Sequence, residues 1–137
     1  MQMAVRKIEH VGIMVRSLEK SIPFYEKVVG LKHVETMVHT NGVIRLAFLS
    51  FPGFPETEIE LIEGFTGELA SEGKVHHVAF TVDDIEKEYA RVRELDVAGL
   101  DDAITSLPNG SRYFFFRGPD NESIEFFQST RGGEARA

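Results

Sequence analysis

Two histidines and two glutamates recur at matching places in this sequence of 137 residues. His10 precedes Glu60 by 50 residues, and His77 precedes Glu125 by 48 residues. Imidazole nitrogens and carboxylate oxygens together suit a divalent ion of intermediate hardness, such as nickel, cobalt, zinc or manganese, with further octahedral positions open to water or substrate. We therefore predict a metal site made of His10, Glu60, His77 and Glu125.

The four residues belong to a longer repeat with an offset of 67 residues. Residues 8–20 align with residues 75–87, and a histidine, two valines, a glutamate and a lysine are identical between them. Each copy also ends with an acidic residue between two apolar ones, at 59–61 and 124–126. A pseudo-twofold packing of two repeated modules would bring both imidazoles and both carboxylates together.

Alternation of side chains predicts that each histidine lies on a half-buried strand. His10, Gly12 and Met14 share one face of the first strand, and His77 shares its face with Ala79 in the second. These small or modest neighbours leave room for a cavity.

A helix is predicted after each strand. Ser17 is the expected N-cap of the first helix and Gly30 its stop, while Pro23 is expected to weaken the helix or delay its start until just before that proline. Asp83 and Glu86 resemble a capping box at the start of the second helix.

Shorter strand-like runs follow each helix, at 43–51 and 58–62 in the first copy and at 113–117 and 123–127 in the second. The chain therefore reads as two tandem βαβββ modules, an α+β fold whose mostly antiparallel, cupped sheet surrounds the metal. We predict a single domain over residues 1–137. Its parts are module one at about 5–63, a linker at about 64–74, module two at about 75–128 and a tail at 129–137.

Composition restricts the chemistry and the partners. The chain has no cysteine, which excludes disulfides, thiolate ligands and a cysteine nucleophile. A net charge of −7 argues against nucleic acid and anionic membranes, so a small molecule is the expected partner. Because the N-terminus lacks the apolar stretch of a secretory signal, we expect the protein in the cytoplasm.

Residues 8–128 resemble the vicinal oxygen chelate superfamily, which includes glyoxalase I, methylmalonyl-CoA epimerase, extradiol dioxygenases and fosfomycin resistance enzymes. The resemblance rests on the motifs HVGI at 10–13, FYEKVVGL at 24–31, IEL at 59–61, HVAF at 77–80 and GPDNESIE at 118–125. Dioxygenases and fosfomycin enzymes typically use two histidines and one glutamate. A fourth ligand, Glu60, therefore favours the glyoxalase I and epimerase branches.

The resemblance implies a lyase or isomerase of the glyoxalase I type, which moves a proton next to a carbonyl while the metal stabilises an enediolate or enolate. In glyoxalase I, the residue that matches Glu125 is the main base and the residue that matches Glu60 can assist. The alternatives are an epimerase like methylmalonyl-CoA epimerase and a non-catalytic small-molecule-binding protein like the bleomycin-resistance relatives. By resemblance, we also expect a homodimer.

Two departures from glyoxalase I concern the grip on glutathione. The arginine expected four residues after the first histidine is Met14, and the asparagine expected four residues after the first glutamate is Gly64. The expected substrate is therefore an α-oxo hemithioacetal, with a thiol other than glutathione, or an acyl thioester. The predicted substrate-binding residues are Met14, Arg112, Tyr113 and Phe115.

Overall fold

Each half of the chain forms a four-stranded sheet with one helical segment, which confirms the predicted α+β class with tandem βαβββ modules. The computed structural model describes residues 7–66, 69, 73 and 75–131. The chain divides into two compact units, Met1–Leu69 and Ala70–Ala137.

The first unit has a mixed sheet in the strand order β1-β4-β3-β2. Strand β1 pairs with β4 in parallel, whereas β4, β3 and β2 are antiparallel neighbours. Its elements are β1 (His10–Val15), α1 (Leu18–Phe24), a π-helical turn (Tyr25–Val29), β2 (Lys32–Val38), β3 (Arg45–Phe51) and β4 (Phe54–Glu63).

The second unit repeats this topology in the order β5-β8-β7-β6, again with one parallel pair, between β5 and β8. The strand next to each histidine therefore pairs with the strand that carries the glutamate, although about 50 residues separate the two in sequence. Its elements are β5 (Val78–Thr81), α2 (Ile85–Glu94), β6 (Thr105–Ser106), β7 (Arg112–Arg117) and β8 (Ser123–Gln128).

Each sheet has a helix face, which is buried, and an open face, which carries the candidate site. On the helix face of the second sheet, Phe114, Phe116 and Phe126 are almost fully buried, and Tyr89 of α2 packs edge-on against Phe114. The first unit buries Leu18, Tyr25, Val28, Leu31, Ala47, Leu49, Ile59 and Leu61. Strand alternation then places the intervening side chains on the open face.

The first helix begins and ends as predicted, but not with the predicted effect of its proline. Ser17 Oγ accepts a hydrogen bond from the Lys20 amide at 3.3 Å, and Gly30 ends the segment with φ of 93°. The delayed start is wrong, because α1 begins at Leu18 and contains Pro23. The missing N–H of Pro23 interrupts the regular ladder, and a wider π-helical turn follows.

The N-cap of the second helix is Asp84, not Asp83. Asp84 is extended, and its carboxylate accepts a hydrogen bond from the Lys87 amide at 3.1 Å. The predicted capping box placed the cap one residue too early.

A second cap reaches each helix from the end of its module's last strand. Glu63 accepts a hydrogen bond from the Leu18 amide at 2.9 Å, and Gln128 accepts one from the Ile85 amide at 2.7 Å. These bonds satisfy a backbone donor that a helix N-terminus otherwise leaves without a partner. They also tie each helix to the strand that carries the candidate glutamate.

Two strands were not placed by the sequence. Strand β2 exposes six of its seven residues, and β6 has only two residues, so neither gives a clear hydrophobic alternation. Strand β4 begins at Phe54, four residues before the predicted run at 58–62.

Parts of the predicted domain plan lie outside the described residues. These are the start of module one before residue 7, most of the linker at 64–74 and the tail beyond residue 131. Among the described helices, none has the length and apolar character needed to span a bilayer.

Candidate metal centre

His10 and Glu60 lie side by side on the open face of the first sheet. The parallel register places Gly12 opposite Glu60. A Cβ atom on Gly12 would lie 3.3 Å from Oε1 of Glu60, so glycine leaves the carboxylate room above the strand. Nε2 of His10 lies 3.4 Å from that Oε1 atom.

His77 and Glu125 form an equivalent pair on the open face of the second sheet. Ala79 lies opposite Glu125, and Nε2 of His77 is 3.2 Å from Oε1 of Glu125. Glu125 is only 6% exposed, and this burial raises the pKa of its carboxyl, while His77 acts in the opposite direction. A half-exposed imidazole thus faces a buried carboxylate.

The residue before each histidine holds the other ring nitrogen. Nδ1 of His10 lies 2.6 Å from Oε1 of Glu9, and Nδ1 of His77 lies 3.0 Å from Nδ1 of His76. Glu9 and His76 occupy equivalent places in the repeat. Neither was predicted as a site residue, yet both leave Nε2 directed at the glutamate, an arrangement common around metal-binding histidines.

A phenylalanine supports each pair from the adjacent antiparallel strand. Phe48 lies opposite Glu60 in the register, and Phe115 lies opposite Glu125. Their rings meet the histidine rings edge-on, with centroids 6.0 Å apart at His10 and 5.0 Å apart at His77. Phe115 was predicted to line the pocket. Phe48 was not, although the same offset of 67 residues relates it to Phe115.

The two histidines have unlike electrostatic surroundings. The pKa of His10 is raised, first by its hydrogen bond to Glu9 and further by the charges of Glu60, Glu9 and Glu58, while desolvation acts against them. Glu58 lies opposite His10 in the register. The second module has Ser123 at the matching place, two residues before its glutamate. The first pair is therefore the more acidic one.

Each pair has the spacing of two adjacent metal ligands. A divalent ion with bonds of about 2.0–2.2 Å holds neighbouring donors roughly 3.0–3.4 Å apart, depending on octahedral or tetrahedral geometry. The Nε2–Oε1 distances of 3.4 and 3.2 Å agree with this spacing. Within the described ranges, no group of three or more histidine, aspartate or glutamate side chains is placed to hold a metal ion. Each unit therefore offers one pair of ligands.

The predicted substrate-binding residues fall on different faces. Met14 lies on the open face of β1 and is 45% exposed, and alternation places Tyr113 and Phe115 on the open face of β7. Arg112 points to the helix face instead, where its Nη2 atom lies 2.9 Å from a carboxylate oxygen of Glu86. The structure separates Arg112 from the candidate ligands of its unit, and it is left out of the site proposed below.

A cavity of about 600 Å³ adjoins Glu125 in the second unit. This volume suits a small organic ligand. Besides Glu125, residues that line the cavity include Ala79, Thr81, Asp83, Phe127, Ser129 and Arg131.

Curated relatives cover nearly the whole chain. An uncharacterized protein of Bacillus subtilis, YwbC, is 55% identical over 90% of this chain and 98% of its own length. A probable trivalent organoarsenical cleaving enzyme of the same organism is 34% identical, with coverage of 95% and 85%. The lactoylglutathione lyase of Haemophilus influenzae is 31% identical, with coverage of 93% and 97%.

The fold has close counterparts among solved structures. The trypanothione-dependent glyoxalase I of Leishmania major superposes with a TM-score of 0.73 and 26% identity, over 90% of this chain and 87% of that one. The model of the Glyoxalase/Bleomycin resistance protein/Dioxygenase superfamily matches residues 7–126. Because this match spans both modules and their paired histidines and glutamates, the chain belongs to that superfamily, the vicinal oxygen chelate proteins.

Proposed function

We propose that the protein is a metal-dependent enzyme of the glyoxalase type, in which His10, Glu60, His77 and Glu125 together bind one divalent ion. Nickel, cobalt, zinc and manganese all suit this mixed nitrogen and oxygen donor set. The observation that carries the proposal is the duplicated geometry. Both pairs present the same donor atoms, Nε2 and Oε1, at the spacing of adjacent ligands.

The hydrogen bond to Glu9 strengthens the case for a cation at the first pair. A carboxylate only accepts, so the proton of the neutral His10 ring lies on Nδ1. The lone pair of Nε2 then faces the carboxylate of Glu60, which is unfavourable unless a positive charge lies near both atoms. A proton on His10 meets this need in the free protein, in agreement with its raised pKa, and a metal ion would meet it in the active one.

When bound, the divalent ion supplies positive charge for the oxygen of a carbonyl substrate as negative charge develops there. We assign proton removal and return to Glu125. Its burial raises its pKa and so makes the carboxylate a stronger base. Glu60, whose side chain is 13% exposed, would assist as the second carboxylate.

The proposed substrate is an α-oxo hemithioacetal or an acyl thioester. Lactoylglutathione lyase is among the curated relatives, and the cavity beside Glu125 accommodates a ligand of this size. Met14 and Gly64 replace residues used to hold glutathione in glyoxalase I, so we propose a different thiol. Tyr113 and Phe115 would provide apolar contacts from the open face.

One further reaction deserves a test because it uses the same four ligands. A methylmalonyl-CoA epimerase also moves a proton next to a thioester carbonyl. A thiolate-based arsenical site, by contrast, is excluded because the chain has no cysteine, although one relative is a probable organoarsenical cleaving enzyme.

Metal content tests the ligand set directly. Protein purified without chelators is expected to hold one divalent ion per chain, by elemental analysis, and Glu60→Gln or His77→Ala should lower this content severely. His39→Gln is a matched control, because His39 lies in an exposed turn outside both pairs. Wild-type protein with no affinity for divalent ions would contradict the proposal. Two ions per chain would show that the pairs act separately.

Turnover separates the reactions. Hemithioacetals of methylglyoxal with glutathione and with bacillithiol should be compared with methylmalonyl-CoA, each with and without metal. We expect metal-dependent turnover of a hemithioacetal whose thiol is not glutathione. Preferred turnover of the CoA ester would favour the epimerase instead.

Assembly determines whether a site uses one chain or two. We propose a homodimer, which light scattering after size exclusion would detect. Mixing the His10→Ala and His77→Ala variants gives a second readout. Recovered metal binding in the mixed dimer would place each site between two copies, and no recovery would place it within one chain.

A further inference from the structure

A second cavity, of about 240 Å³, lies beside the second His–Glu pair. His76, which contacts His77, and Phe115, which meets the His77 ring edge-on, both line it. The other lining residues are Gly99, Asp101, Arg117 and Ser123. The cavity is therefore polar and adjoins a proposed metal ligand.

Arg117 is held firmly at this cavity. Its backbone N–H donates to the Ala98 carbonyl at 2.8 Å, and Nη1 donates to the Asn121 carbonyl at 3.0 Å. Gly99, with φ of 64°, lies so close that an added Cβ atom would be 2.4 Å from Cγ of Arg117. The other guanidinium donors make no hydrogen bond within the part of the chain that the structure describes. A fixed cation with unused donors thus faces the cavity.

Ser123 adds a buried hydroxyl to the same lining. The residue is only 7% exposed, and its hydroxyl has no hydrogen-bond partner among residues 7–66, 69, 73 and 75–131. A buried hydroxyl without a partner is unfavourable, which makes it a donor available to a ligand. The first module carries Glu58 at this place, so the second module has lost a negative charge here.

Asp101 is the acidic residue of the lining, and the sheet already uses it. Its Oδ2 atom accepts a hydrogen bond from the Phe115 amide at 2.9 Å. Among the described contacts, Asp101 and Arg117 form no ion pair. The charge of Arg117 therefore remains available.

We propose that this cavity is a subsite for a small anionic group, a carboxylate or a phosphate, carried by the ligand of the His77–Glu125 pair. Arg117 supplies the positive charge and N–H donors, and Ser123 supplies an O–H donor. His76 adds an imidazole at the rim. Anion binding here needs no metal, and only the identification of the anion as part of the substrate rests on the proposed function.

Titration of the metal-free protein with inorganic phosphate, and separately with acetate, tests the subsite. We expect saturable NMR shifts at the backbone amides of Phe115, Arg117 and Ser123, larger for whichever anion the site prefers. Arg117→Gln should weaken binding by about tenfold or more, because a charged hydrogen-bonding partner is lost. Arg112→Gln is the matched control. It removes the same charge from the same strand but on the helix face, and it should bind like wild type.

Ser123→Ala keeps the test decisive if Arg117→Gln does not fold. It removes a buried hydroxyl without a protein partner, so it should bind the anion several-fold more weakly without lowering the melting temperature. Absence of saturable shifts in wild type, or equal affinity in wild type and Ser123→Ala, would overturn the subsite. Metal content, measured separately, would still decide the proposed ligand set.

Discussion

Glu125→Gln tests the proposed ligand set most sharply, because the wild-type carboxylate should have opposite effects without and with metal. Without metal, burial raises the pKa of Glu125, which means that folding opposes its ionisation. The stability that a raised carboxyl pKa confers is full below the unfolded pKa and is lost as pH rises through the folded pKa. At pH 7 a neutral glutamine of the same shape is therefore expected to raise the free energy of unfolding, by about 1 kcal/mol.

With metal the order should reverse. A ligand at about 100 times its dissociation constant stabilises the folded state by about 2.7 kcal/mol, which for a domain of this size is a melting shift of roughly 10 °C. Loss of the charged ligand is expected to weaken affinity by about 100-fold or more. The same metal concentration then stabilises the variant by about 0.4 kcal/mol, a shift of roughly 1–2 °C.

Melting curves with chelator and with added metal measure both effects. Glu63→Gln is the matched control, since Glu63 points to the helix face and bonds Arg45 and the Leu18 amide. It should lower stability in both conditions and keep the full metal shift. A metal shift of Glu125→Gln equal to that of wild type would refute Glu125 as a ligand.

Three further predictions test individual contacts. Ser21→Ala should raise the free energy of unfolding by roughly 1 kcal/mol in urea titrations, because its buried hydroxyl has no partner among the described residues; a loss of stability would show an unseen bond. Gly99→Ala should destabilise by roughly 1 kcal/mol or more beyond Gly42→Ala, since both have positive φ but only Gly99 faces a side-chain carbon 2.4 Å from the added Cβ; equal melting temperatures would disprove the clash. Glu9→Gln should lower the pKa of His10 in NMR titrations of metal-free protein. The stability that His10 gives below its unfolded pKa would then be lost at lower pH as pH rises, and an unchanged pKa would count against Glu9 as its main cause.

The repeat made the main features of each module predictable. Strand alternation placed His10 and His77 on a face with small neighbours, and the equal spacing to Glu60 and Glu125 indicated which strands must pair. Local signals also identified the Ser17 cap. These features follow from short-range periodicity and from internal comparison, which one sequence contains in full.

Features that depend on contacts across strands were harder to predict. Phe48 meets His10 through a strand between them, and β2 escaped because its exposed side chains show no apolar period. The face of Arg112 was predictable in principle, because it differs in parity from Phe115 on the same strand. Glu9 has no signal beyond its place beside His10, since the repeat has histidine at the equivalent position.

Strand β8 sets a direction for any molecule bound along it. Ser123, Glu125 and Phe127 follow one another on the open face at steps of about 7 Å, with the small polar cavity at the first and the larger cavity reaching the last two. A ligand anchored by its anion at Ser123 would extend past Glu125 in one sense only. The carboxylate would then meet a single enantiotopic face of a planar intermediate, and the product of the proposed proton transfer should have one handedness.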